Sequence, residues 1–293
     1  FVENDPQTGA PTLKLDHLPE IKLGNFDLSA IQLPDVSNLT EKLPKWAYSV
    51  NPNGLTVKTL HAGDGEAVFV CADGYTMLIG AGSGTGAALC GQLLLCGANH
   101  LSAAVAMSSE DEQLGAMKMA LGLTKPDYLF VPPTQTKGKA YAQMIETAEK
   151  QGTQIVSAAQ NMAFTLGRAR VTFIGPARTQ HTDSRDDGLT LRIDYGQTSV
   201  VVTGCITSNG EKEIVSSGAA ACDALIVARG GTEAATCAEW VEAANPQIAL
   251  VTGKNPANSV RIRLQKCGAT VYAAKENGVM TLLSDGEKIT VEP

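Results

Sequence analysis

The hydrophobic pattern divides this chain near residue 54. Beyond it, short apolar runs bounded by Gly, Asn and Asp recur at regular spacing. Leu55–Leu60, Glu66–Cys71 and Tyr75–Ile79 read as strands, and Asp73-Gly74 is a hairpin-type turn between the last two. Ala81-Gly82-Ser83-Gly84-Thr85-Gly86 opens an apolar helix that runs through Leu95. Ala103–Met107 reads as a buried strand, and Asp111–Leu121 as a helix with Met117 and Leu121 on one face. The texture then repeats. Tyr128–Val131, Gln154–Ser157, Ala169–Ile174, Leu189–Tyr195 and Ser199–Thr203 read as strands, with a helix at Lys139–Lys150. Helices at Glu211–Ser217, Cys237–Ala244 and Val260–Cys267 alternate with strands at Ala224–Ala228, Ile248–Val251 and Thr270–Ala273. Val279–Leu283 and Lys288–Val291 close the chain as strands. In each half a strand meander gives way to strand–helix alternation. That order predicts two mixed sheets packed face to face with helices outside, a four-layer αββα sandwich.

Residues 1–53 lack this texture. Prolines recur at Pro6, Pro11, Pro19, Pro34 and Pro44, and no helical stripe is sustained. The expectation is an extended Pro-containing arm or linker, lying against a domain at 54–293 or tethering it. The chain starts at Phe1 rather than Met, as a fragment or processed product would, which leaves a secreted or anchored, extracytoplasmic location open.

Composition narrows the function classes. The chain is 44% hydrophobic and 18% charged, as a folded globular protein is. Its formal net charge of -7 disfavours nucleic acid as a tightly bound partner, because such affinity comes largely from neutralised phosphates. No apolar run is long enough to cross a bilayer. The seven cysteines are odd in number and show no CxxC pair, so they read as small buried side chains rather than a disulfide framework.

Six segments, in order, carry a family resemblance. Leu60-His61-Ala62-Gly63-Asp64-Gly65-Glu66-Ala67 is similar to a DVGQGDA signature. Met77-Leu78-Ile79-Gly80-Ala81-Gly82 is similar to MLIDAG, and Ala106–Gly115 stands at the place of THPHxDHxGG. Asp194-Tyr195-Gly196 with Val201-Val202-Thr203-Gly204-Cys205 resembles a strand pair ending in LLTGD. Asp223–Thr232 resembles DVLKVxHHGS, and Asn245–Leu250, Gly268–Tyr272 and Asp285-Gly286 complete the series. Over residues 54–293 the chain thus resembles the metallo-β-lactamase-like domain of ComEC-type competence proteins.

The resemblance implies two divalent metals, commonly zinc or manganese, that activate water for a phosphodiesterase or nuclease reaction. The ligand positions it implies read otherwise here. Met107 and Ser109 stand for two histidines, Asp111 is retained, and Glu112 stands for the third. Cys205 replaces the Asp of TGD, Gly230 the ligand His of HHG with Arg229 before it, and Gly80 the Asp of MLIDAG. The last His loop is shortened to Asn255-Pro256-Ala257-Asn258. The four histidines, His17, His61, His100 and His181, all fall elsewhere, so a His-rich dinuclear site cannot be built.

Two readings remain open. Asp111, Glu112 and Cys205 could hold a single zinc and support a reduced, metal-dependent hydrolase. Alternatively, Asp111 caps the helix that begins there and Cys205 is a packed strand end. Gly82–Gly86 reads as a tight strand-to-helix turn more readily than as a phosphate loop, since it lacks the Lys-Ser/Thr ending. Ser108-Ser109 has no neighbouring base to make a nucleophile. Arg229 with Gly230-Gly231 could form a cationic pocket or a solvated loop. The favoured expectation is a non-catalytic fold with no cofactor. It would bind an unidentified ligand or protein partner in a groove lined by Gly80, Met107, Ser109, Asp111, Glu112, Cys205, Arg229 and Gly230.

Overall fold

A computed structural model describes residues 2–4, 11–14, 53–63, 65–134 and 138–292. Strands β1 (Val2–Asn4) and β2 (Pro11–Lys14) pair antiparallel. The rest of the N-terminal arm, and Asp64 in the first motif, lie outside the described residues. Strands β3 (Leu55–Thr59), β4 (Val68–Ala72) and β5 (Tyr75–Ile79) form an antiparallel meander. Helix α1 (Gly86–Leu95) leads to β6 (Ala103–Val105), α2 (Met117–Thr124) to β7 (Tyr128–Val131), and α3 (Lys139–Gln151) to β8 (Gln154–Ser157). From β5 to β8 the pairing is parallel, as right-handed crossovers through a helix require.

The second half follows the same plan. Strands β9 (Ala163–Leu166), β10 (Ala169–Gly175), β11 (Thr190–Tyr195) and β12 (Thr198–Val202) form a meander. Then α4 (Ser208–Ser216), β13 (Ala224–Ile226), α5 (Ala238–Ala244), β14 (Ile248–Val251), α6 (Asn258–Lys266) and β15 (Thr270–Ala273) alternate, again with parallel pairing. A short α7 (Ala274–Asn277) returns the chain to the first sheet. There β16 (Thr281–Ser284) pairs with β3, and β17 (Ile289–Glu292) pairs with β16. The result is a nine-stranded and an eight-stranded mixed sheet among the described residues. Strand β2 extends the larger sheet by pairing in parallel with β9, Leu13 opposite Phe164.

Strand alternation explains the layers. In β4, Val68 and Val70 face the other sheet, while Phe69 and Cys71 face the helices. The space between the sheets is filled by residues such as Val57, Met77, Phe130, Phe164, Phe173 and Val202. The Phe130 ring stacks on Phe164 at 4.6 Å and lies 5.3 Å from Phe173, so it ties the two sheets together. Leu89, Met117 and Met144 cover the outer face of the smaller sheet. Ile214, Trp240 and Leu264 cover that of the larger. The four-layer αββα arrangement is therefore the one the sequence pattern predicts.

Three local readings need correction. Strand β9 is absent from the sequence reading because only four residues, Ala163–Leu166, carry its alternation; pairing with β10 makes it a strand. Asp111–Leu121 is not one helix. A 3-10 turn at Asp111–Gln113 ends at Leu114, and α2 begins only at Met117, beyond the helix-weakening Gly115. Helix α4 starts at Ser208, ahead of Glu211, because Thr207 accepts the Asn209 N–H at 3.2 Å and caps it.

Truncating Phe130 to Ala removes the ring shared by both sheets. The expected loss is about 3–5 kcal/mol of unfolding free energy in denaturant titrations. A loss below about 1 kcal/mol would show that the inter-sheet space collapses around the gap.

Candidate functional site

Loops at the carboxyl ends of the parallel strands of both sheets converge on one groove. Gly80 follows β5, Met107 follows β6, Cys205 follows β12, Arg229 follows β13, and Thr252 follows β14. Clefts form there in α/β sheets because the loops diverge above the strand ends. The cavity measures about 200 Å³. Gly80, Met107, Glu112, Cys205, Arg229 and Gly230 line it. Ser109 and Asp111, which the sequence groups with them, are not among its lining residues.

The destination of Asp111 is clear. Its Oδ1 accepts the backbone N–H of Ala140 at 2.9 Å and of Tyr141 at 3.2 Å, on α3. Helix α3 has Gly138 at its N-cap, with no side chain to satisfy its first amides, and a carboxylate from a distant loop supplies the acceptor. Asp111 therefore caps a helix, as one sequence reading has it, but not the helix it begins. Ser109 is buried, and Ser108 Oγ accepts the Glu110 N–H at 3.1 Å.

Gly80 sits where the resembling motif has Asp. Its φ is +68°, and a Cβ there would lie 2.4 Å from the Glu66 carbonyl oxygen, so no side chain fits without moving the backbone. Cys205 is buried, and burial pushes its thiol up to about 12. A metal binding there would have to displace its proton.

Glu66, which the sequence reading does not single out, lies at the floor of the groove. Its side chain is enclosed, and burial holds its carboxyl well above the usual carboxylate range despite the N–H of Gly204 at 3.1 Å from Oε2. Its Oε1 has no hydrogen-bond partner. Arg229 adopts a left-handed backbone conformation with φ +52°, uncommon for a residue with a Cβ, and its N–H donates to the Gly204 carbonyl at 3.1 Å. The Nε and Nη1 atoms of its guanidinium are buried without partners. Glu211 on α4 accepts the N–H groups of Thr236 at 2.6 Å and Cys237 at 2.8 Å, which fixes the far end of the Arg229 loop.

From the segment between β10 and β11, Arg185 also lines the groove. Arg185 is paired with Asp183, and Glu110 accepts the Ser184 hydroxyl. His181 anchors this segment. Its side chain is 4% exposed, with Nδ1 2.7 Å from Asp187 and Nε2 2.9 Å from Glu213. Burial opposes its protonation, but the two carboxylates outweigh burial and raise its pKa above the ordinary value.

A metal needs about three deprotonated ligands from one locality. Among the described residues, no three His, Cys, Asp or Glu side chains gather in that way. Asp111 is committed to α3 and does not line the groove, which leaves Glu112 and Cys205 without a third ligand. The residues present do not fit the dinuclear site that the fold implies, nor the reduced Asp111/Glu112/Cys205 site.

The fold itself is that of the metallo-β-lactamases. The chain is similar to the metallo-β-lactamase fold protein YhfI from Bacillus subtilis, at 16% identity and TM-score 0.54, over 78% of this chain and 99% of that one. It is also similar to Igni18, a metallo hydrolase from Ignicoccus hospitalis, at 15% identity and TM-score 0.52, over 81% and 99%. CmlA, a diiron β-hydroxylase from Streptomyces venezuelae, matches at 14% identity and TM-score 0.50, over 75% of this chain and 53% of that one. No family model matches the sequence, and no curated protein matches it significantly.

Asp111→Ala is expected to cost about 0.5–2 kcal/mol, the range for a lost helix cap, in denaturant titrations. A change in metal content without a stability loss would contradict the capping role. For His181 the sign follows from its raised pKa. The stabilisation is complete below the unfolded value of about 6.5 and is lost as pH rises through the higher folded value. The stability gap between wild type and His181→Gln should therefore shrink as pH rises; parallel melting-temperature profiles would contradict this.

Proposed function

We propose that this chain is a non-catalytic binding module built on the metallo-β-lactamase fold. Its groove is kept for ligand recognition rather than for metal-assisted hydrolysis. On this reading its relation to the ComEC-type competence domain is one of shared scaffold. The observation that carries the proposal is the fate of the two decisive ligand positions. Asp111 caps α3 and does not line the groove, and among the described residues no set of three ligand-type side chains gathers around Cys205. Igni18 is a metallo hydrolase and CmlA a diiron hydroxylase, but the scaffold is what this chain has in common with them, and chemistry resides in the site.

Metal analysis of the purified protein by plasma mass spectrometry, before and after zinc incubation and dialysis, tests the proposal. Substoichiometric metal is expected, with no difference between wild type and Cys205→Ser. A full equivalent of transition metal that disappears in Cys205→Ser would overturn the proposal in favour of a one-metal hydrolase, for which phosphodiesters would be the first substrates to try.

A further inference from the structure

Buried polar atoms without partners are uncommon in folded proteins, and each needs a physical account. Half of those among the described residues lie in one place. Glu66 Oε1, Arg229 Nε, Arg229 Nη1, Thr232 Oγ1 and Thr252 Oγ1 are all buried without a hydrogen bond, and all four residues line the groove. Glu66 and Thr252 are 6% and 2% exposed, so bulk water does not satisfy them.

These groups share a chemistry. A guanidinium donates and never accepts, and Arg229 offers one N–H on Nε and two on Nη1. Threonine hydroxyls rotate to donate. Glu66 Oε2 accepts the Gly204 N–H, and burial raises its carboxyl, which weakens the negative charge it would set against an anion. Two further acids, Glu110 and Glu112, line the groove, and Glu110 accepts the Ser184 hydroxyl; the free donors of Arg229, Thr232 and Thr252 lie on the loops after β13 and β14. Lys254 adds a cation at the rim. The Gly230 Cα–H faces its aliphatic stem; a Cβ there would meet Lys254 Cγ at 3.4 Å. The other groove arginine, Arg185, is neutralised by Asp183.

Donors that converge from separate loops suit a ligand that only accepts and carries several oxygens. We propose that the groove binds the phosphoryl group of a small phosphate-bearing molecule, with Arg229 as the principal counter-charge and Thr232, Thr252 and Lys254 completing the cradle. A phosphate monoester presents three acceptor oxygens and close to two negative charges at neutral pH, which fits this set better than a planar carboxylate with two. The body of the ligand has room beyond the head group. A second cavity of about 430 Å³ shares Thr252 and Gly253 with the groove, and apart from His61 its lining is uncharged, including Leu60 and Val279. This assignment rests on the binding-module reading and adds the ligand class.

Titration calorimetry with inorganic phosphate, phenyl phosphate, benzoate and benzyl alcohol tests it, on protein whose metal content has been measured. Phenyl phosphate should bind more tightly than the other probes. The affinity should fall about tenfold or more in Arg229→Met and severalfold in the surface variant Lys254→Met, the scale of a lost charge-assisted contact. Circular dichroism checks the fold of both variants, and Lys254→Met stands alone if Arg229→Met does not fold. Equal binding of benzyl alcohol and phenyl phosphate, or unchanged phosphate affinity in the folded variants, would overturn the phosphoryl assignment and leave the binding module standing. No binding of either phosphate up to millimolar concentration would also overturn it. Stoichiometric metal in the groove would instead remove the underlying reading.

Discussion

A sheet that is apolar on both faces must be covered on both, and this requirement organises the molecule. Each sheet presents one face to the other sheet and one to helices, so neither the sheets nor the helices are stable as separate layers. The stacked Phe130 and Phe164 rings, with Phe173 tilted against both, lie where the two sheets meet. Once they are packed, the carboxyl ends of the parallel strands in both halves point to the same edge. The groove is a geometric consequence of that packing and needs no metal to shape it.

This separates scaffold from chemistry. The loops after β5, β6, β12, β13 and β14 stay close together whatever side chains they carry, so the cleft persists when the ligand types change. What changes is the polarity of its lining. Where the resembling motifs place imidazoles and carboxylates around cations, this chain places a guanidinium and two hydroxyls on the loops after β13 and β14, with Glu66, Glu110 and Glu112 elsewhere in the lining. On the proposed reading, a site that would attract metal becomes one that offers hydrogen-bond donors.

Much of the fold is legible in the sequence because period-two alternation and Gly, Asn and Asp punctuation are strong local signals. Strands such as Tyr75–Ile79 and Tyr128–Val131 stand where the pattern puts them. The four-residue β9 is not legible, since its identity comes from pairing with β10. Of the site, the loss of histidines is legible from residue types alone. The role of Asp111 is not, because its target, the start of α3, lies 29 residues away in sequence. Glu66 stands in the His61–Ala67 motif directly before a buried strand, which is the one signal that could have marked it. Its lack of a partner is a property of packing. Thr232, Thr252 and Lys254 carry no motif, and only the convergence of loops from one sheet brings them to Arg229.

The central claim is that a cationic side chain occupies the role a metal has in the implied site. It is tested most directly by anomalous diffraction from crystals soaked with tungstate, a tetrahedral phosphate analogue, and separately with zinc. The account expects a tungsten peak in the groove within hydrogen-bonding reach of Arg229, and no zinc peak between Glu112 and Cys205. A zinc peak bridging those two residues, with tungsten absent from the groove or bound only to that zinc, would contradict it.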